Sequence, residues 1–137
     1  MKLVIDASVA LPWFFADEKN GASDIILTEV YRDGAMVPAL WPIEMGNALT
    51  MGLRRRRITD PDYFKSIAAL AEIPVTVEPL DPKRALANVP PLATKHGLTF
   101  YDAMYLELAM RLSVSLATFD AEIIRAARAV GVPLWNA

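Results

Sequence analysis

Two rhythms of apolar and polar positions run along the chain. Short unbroken apolar runs alternate with longer segments in which apolar residues return every three or four positions, the patterns of buried strands and amphipathic helices. Lys2 to Ile5 reads as a strand buried on both faces, and Ser8 as the cap of a short helix through Phe15, with Pro12 near its first turn. Ile25, Ile26, Glu29, Val30 and Arg32 pattern a helix from about Ala22 to Asp33, and Gly34 suits its C-terminal cap. Met36 to Ala39 is a second strand. Pro42 then fits the first position of a helix reaching to about Arg56, which sets Glu44, Asn47 and Met51 close to one face.

The second half repeats the alternation. Asp60 with Pro61 starts a helix carried through Tyr63, Ile67 and Leu70, and Val75 to Val77 is a third strand. Asp81 with Pro82 starts another helix, which Pro90 and Pro91 are expected to break before a short segment ends at His96 and Gly97. Tyr105, Leu108, Ala109 and Leu112 space out a helix from Tyr101 to Leu112, Val114 to Ala117 is a fourth strand and Glu122 to Val130 a last helix. Val132 to Trp135 offers a fifth strand. Strands alternating with helices imply parallel pairing, because a parallel crossover needs about a dozen connecting residues, commonly helical. The expected architecture is a three-layer α/β/α sandwich around a parallel sheet of about five strands.

Composition narrows the picture. A chain of 137 residues fits one domain, 1–137, and its 54 % hydrophobic content implies a full core. The longest apolar stretch, Val9 to Ala16, contains Pro12 and is far too short to span a bilayer, and no signal peptide is recognisable after Lys2, so a cytoplasmic protein without membrane attachment is expected. The absence of cysteine and the single histidine, His96, exclude disulfides and thiolate or His-rich zinc sites. Oxygen ligands must therefore hold any metal. A net charge of −2 means that a nucleic acid would be gripped by a local basic patch rather than by the whole surface.

Four carboxylates stand at element junctions: Asp6 after the first strand, Glu44 in the helix after the second, Asp102 opening its helix, and Asp120 after the fourth strand. In open α/β sheets the ligand crevice lies beyond the carboxyl ends of the strands where strand order reverses. Singly, each acid has a plain explanation as a helix cap or a partner of the helix dipole, worth about 0.5–2 kcal/mol. Jointly they are costly, since two carboxylates ~4 Å apart repel by about 4 kcal/mol at an effective dielectric of 20. Such a group needs a cation or must stay partly protonated. An all-oxygen set suits Mg²⁺ or Mn²⁺, ions that bring phosphate substrates and activate water for in-line attack.

The blocks "LVIDASV", "PIEMGNAL", "HGLTFYDAMYLELA" and "LATFD" resemble, in order and across nearly the whole chain, the motif blocks of PIN-domain ribonucleases, and the chain is most similar to VapC-type toxins of toxin–antitoxin pairs. The resemblance implies Mg²⁺- or Mn²⁺-dependent endonucleolytic cleavage of RNA by a homodimer that a cognate antitoxin protein inhibits. It carries Asp6, Glu44, Asp102 and Asp120 over as the acidic quartet, with Asp6 and Asp102 as the most direct metal ligands, and Ser8, Asn47 and Thr118 as polar supports. Pro90 and Pro91 depart from the pattern, as does Glu107, which stands where a small residue is common.

The run Arg54, Arg55, Arg56 and Arg57 reads either as a grip on RNA phosphates or on an acidic part of the antitoxin, or as a solvated helix end. Trp13, Phe14 and Phe15 cannot all face one core from a helix, so at least one ring is expected at an RNA, antitoxin or dimer surface, the alternative being a rim position in a well-covered core. A phosphoryl-accepting signalling domain fits poorly, because no lysine lies near Asp120. The serious alternative is a non-catalytic PIN-like module acting through protein contacts; it would tolerate losses in the acidic set, and here all four positions are filled.

Overall fold

A computed structural model describes residues 3–136; the expected start of the first strand at Lys2 lies outside them. The strands are β1 (Leu3–Ile5), β2 (Ala35–Pro38), β3 (Val75–Glu78) and β4 (Ser115–Ala117), joined in the order β3-β2-β1-β4 with every pairing parallel. The helices are α1 (Ala7–Ala10), α2 (Gly21–Asp33), α3 (Leu40–Arg54), α4 (Asp60–Glu72), α5 (Pro82–His96), α6 (Phe100–Leu112) and α7 (Ala121–Val130). They flank the sheet as the α/β/α reading expects. α6 packs across β1, β2 and β4, with α5 laid on α6, while α3 packs by β2 and carries α4.

β1 is buried at all three positions, which is why its apolar run is unbroken. Val4, Ile5, Val9, Ile26, Val30, Val37, Trp41, Met45, Leu106, Leu116 and Ile123 are sealed in the core around it. At the sheet edge β3 is half exposed.

Five expectations need correction. Among the described residues the sheet has four strands, not five: Pro133 has no N–H to give, and the tail makes a single bridge there, Leu116 to Leu134, through Leu116 N–H to Pro133 O and Trp135 N–H to Leu116 O. Pro90 and Pro91 do not break α5, which runs unbroken from Pro82 to His96. The carbonyls they orphan, on Leu86 and Ala87, belong to exposed residues where water replaces the lost bonds, while buried Val89 and the neighbouring Leu92 and Ala93 anchor the inner face. Asp6, not Ser8, is the N-cap of α1. That helix stops at Ala10 rather than Phe15, because Pro12 tightens the chain into a 3-10 turn over Leu11–Trp13. α3 begins at Leu40, so Pro42 sits inside its first turn, where no intrahelical N–H is required of it.

The tightened turn also settles the three rings. Trp13 donates its indole N–H to Ser23 O at 2.8 Å, Phe14 packs half-buried against the core, and Phe15 is sealed beneath the Arg57 guanidinium, 4.2 Å from its centroid. Successive residues in a turn fan outward by more than helix geometry allows, so each ring finds its own niche. None of the three stands exposed: Phe15 is buried, and Trp13 and Phe14 are half-buried, as the rim alternative has it.

Phe15 presses on α3 at Gly52, where a Cβ would lie 2.7 Å from the ring edge. The ring cannot swing away under Arg57. Gly52→Ala is therefore expected to lose about 1–2 kcal/mol in urea unfolding despite its better helix propensity; an equally stable variant would show that the ring yields.

Candidate active site

β1 has β2 on one side and β4 on the other, so the chain leaves β1 in one direction and returns in the other. A crevice opens at such a reversal, beyond the carboxyl ends of the two strands. Asp6 follows β1 directly, and Thr118 and Asp120 follow β4. The Asp6 side chain is only 4 % exposed. Its Oδ1 accepts from Ser8 N–H at 3.1 Å and Ser8 Oγ at 2.6 Å, and its Oδ2 accepts from Thr118 Oγ1 at 2.7 Å. Thr118 Oγ1 accepts in turn from Asp120 N–H at 3.0 Å, and Ser8 Oγ from Phe119 N–H at 2.8 Å. Two hydroxyls thus lace the β1 and β4 ends together, which supports their reading as polar supports.

Asp120 caps α7, its Oδ1 accepting from Glu122 and Ile123 N–H at 2.9 and 3.0 Å. The capping explanation therefore holds for Asp6 and Asp120, and in both it fixes the carboxylate at the crevice rather than replacing a role there. It fails for Asp102: Thr99 caps α6, its Oγ1 accepting from Asp102 N–H at 3.0 Å, and the Asp102 carboxyl is left half-buried. Glu44, one turn into α3, accepts a 2.5 Å hydrogen bond from the Tyr105 hydroxyl of α6. Tyr105 holds Glu44 across the two helices, a contact between residues far apart in the chain that no local pattern reveals. Its only trace is its place three residues after Asp102, one turn along the same helix face. Asn47 bonds to none of the carboxylates among the described residues and instead shares with Glu44 the lining of a hollow of about 270 Å³.

The electrostatics bind the four acids into one group. Burial pushes the Asp6 carboxyl up to about 6 against the pull of Ser8 and Thr118, and the Asp120 charge adds to the rise. Burial also raises Asp102, helped by Asp120, and raises Glu44, helped by Asp102 and opposed by the Tyr105 hydrogen bond. Burial and the neighbouring Glu44 drive the Tyr105 phenol well above its ordinary range, so it stays a hydrogen-bond donor. Among the described residues no lysine, arginine or histidine pairs with any of the four. The site concentrates negative charge without a cation of its own.

An all-oxygen donor set in which burial and neighbouring charge raise Asp6, Glu44 and Asp102 is the chemistry that a hard divalent cation relieves. Among the described residues no three acidic or histidine side chains converge tightly enough to hold an ion alone. The residues fit a magnesium-like ion that keeps much of its water and takes only one or two carboxylates directly.

The arginine run divides. Arg57 is committed to Asp17 at 2.8 Å and Glu18 at 2.9 Å, besides covering Phe15. Arg54, Arg55 and Arg56, at and just past the end of α3, are exposed and without a carboxylate partner among the described residues. Glu107, the other departure from the motif, is a buried acid whose charge Arg111 meets at 3.0 Å; Arg111 continues to Glu78 at 2.6 Å, and Glu78 to Arg84 at 3.1 Å. That network ties α6 to β3 and α5.

Comparison with known proteins agrees with this layout. A family model described as the PIN domain matches residues 3–129. Ribonuclease VapC1 of Mycobacterium tuberculosis is 30 % identical over 131 residues, covering 95 % of this chain and 92 % of that protein. Ribonuclease VapC3 of Pyrobaculum aerophilum is 26 % identical over 123 residues, covering 90 % and 92 %. The crystal structure of PAE2754 from Pyrobaculum aerophilum superposes with a TM-score of 0.69 at 26 % identity, over 92 % of this chain and 86 % of that one. FitAcB from Neisseria gonorrhoeae shares the fold with a TM-score of 0.63 at 16 % identity, over 98 % and 96 %. With the family model reaching from β1 into α7, the chain belongs to the PIN-domain family.

Proposed function

We propose that this protein is an endoribonuclease of the VapC kind, the toxin of a toxin–antitoxin pair, cutting RNA phosphodiester bonds with Mg²⁺ or Mn²⁺. The observation that carries the reading is the uncompensated acidic crevice at the β1–β4 reversal, in a chain whose relatives are named ribonucleases. A bound divalent cation would supply the charge that acidifies water and offsets the negative charge building on phosphate. Asp6 and Asp102 would hold it most directly, with Glu44 and Asp120 directly or through water. Ser8 and Thr118 keep Asp6 aimed: its Oδ1 accepts two hydrogen bonds and its Oδ2 one, which leaves Oδ2 a free lone pair. Tyr105 does the same for Glu44. The raised proton affinities of Asp6, Glu44 and Asp102 mean that an arriving cation competes with protons there, so ion binding and proton release are coupled.

A homodimer restrained by a cognate antitoxin follows from the same reading, as does a cytoplasmic location. Among the described residues no helix is long and apolar enough to cross a membrane.

Calorimetric titration of Mn²⁺ into the antitoxin-free protein tests the core of the proposal. Saturable binding, accompanied by proton release and weakened about tenfold or more by Asp102→Asn, is expected. No binding to the folded parent, together with no RNA cleavage in Mn²⁺, would sink the enzyme reading in favour of an interaction module.

A further inference from the structure

Five of the twelve aromatic side chains are exposed: Tyr31, Phe64, Phe100, Tyr101 and Phe119. Three of these five adjoin the acidic crevice in the chain. Tyr101 directly precedes Asp102 and is 60 % exposed, Phe119 directly precedes Asp120, and Phe100 opens α6. Folding does not require such placement, because an exposed ring gives the core little. Tyr101 is also in the right place by geometry, since it shares the walls of the hollow beside α3 with Glu44 and Asn47. Asn47 lines a second hollow as well, which continues along α3 past Met51 to Arg55. Asn47 is a wall of both hollows, so together they flank α3 from Tyr101 and Glu44 at one end to Arg55 at the other. From Glu44 to Arg55 this is about 16 Å of helix.

Resting on the ribonuclease reading, we propose that Tyr101 and Phe119 are base-stacking platforms that seat an unpaired RNA stretch along these hollows, its phosphates led toward Arg55. The order of features matches the chemistry of a single strand. Exposed π faces take bases of any identity, guanidinium groups take phosphate, and the carboxylates lie where a phosphate between stacked bases would meet a cation. Duplex RNA hides its base faces inside the helix and cannot use the rings. Tyr101 and Phe119 are positioning residues here: they hold the strand, and the acids do the rest.

The test is single-turnover cleavage of a random-sequence single-stranded RNA pool in Mn²⁺ by the antitoxin-free protein, with rate followed against protein concentration. Tyr101→Leu is expected to raise the half-saturating concentration about five- to a hundred-fold with a nearly unchanged plateau rate, and Tyr101→Trp to restore it. Leucine keeps apolar area but has no ring, so an apolar protein contact would not distinguish the two variants in this way. The same RNA annealed to its complement is expected to be a poor substrate for the parent and indifferent to the substitution. A parent that cleaves while Tyr101→Leu saturates alike would overturn this inference alone, leaving the ring to a protein partner. A parent that cleaves neither form would overturn the ribonuclease reading beneath it.

Discussion

Asp6→Asn is expected to lower RNA cleavage about a hundredfold or more and, in EDTA near neutral pH, to make the protein about 2 kcal/mol more stable. The two effects have one cause. Folding moves the Asp6 carboxyl from its ordinary 3.8 up to about 6, so the folded state holds that proton more tightly than the unfolded chain does. Below the ordinary value both states are protonated and nothing is lost. As pH rises through the window to about 6, stability falls, and above it the full penalty of about 3 kcal/mol stands. Asparagine never ionises, and its amide can still face the hydroxyls of Ser8 and Thr118, so it escapes most of that penalty. The advantage should shrink to under about 1 kcal/mol near pH 4. Urea unfolding at both pH values in EDTA measures it. A variant less stable than its parent near neutral pH would mean that Asp6 is held by its hydrogen bonds more than it is strained by burial.

Arg111→Leu should show the opposite pH signature, with a loss of about 2–3 kcal/mol near neutral pH. Arg111 meets Glu107 and Glu78 at once, and removing it strands a buried acid. The figure stays below that for a fully buried pair because the Arg111 and Glu78 side chains are 26 % and 21 % exposed. Hydrogen bonding to Arg111 holds Glu78 below its ordinary 4.5. That contribution is present above the ordinary value and disappears as pH falls through the lowered one, so parent and variant should converge in acid. The double variant Glu107→Leu, Arg111→Leu should recover part of the loss, because Glu107 is then not left as a stranded buried charge. If the double variant is as unstable as the single one, the cost lies in lost packing rather than in the stranded acid.

The alternation of strands and helices was legible because each buried strand is an unbroken apolar run and each helix start carries its own signal, as at Asp81 with Pro82. The acids were legible as a set for a related reason: in a parallel sheet every strand ends on the same side, so a carboxylate just past a strand end is already placed. What escaped were effects decided by partners distant in sequence. Two prolines in α5 look like a break until Leu86 and Ala87 prove exposed, and the last apolar segment looks like a strand until Pro133 is set beside Leu116. Three consecutive rings leave a surface and a rim position both open until the turn at Pro12 separates them. Tyr105 has the spacing of a core residue on α6, and only the approach of α3 shows that its hydroxyl serves Glu44.

Thr118 reaches Asp6 across nearly the length of the chain, and β4 can dock only against a β1 already in place. A ribosome therefore releases Asp6, Glu44 and Asp102 long before it releases the residue that aims the first of them. During synthesis the acids exist, but the crevice does not; it forms in one late step, when β4 slides in beside β1. A chain cut between α6 and β4 would keep most of its mass but lose the Thr118 bond to Asp6 and Asp120 itself, so the order of translation times the completion of the acidic group.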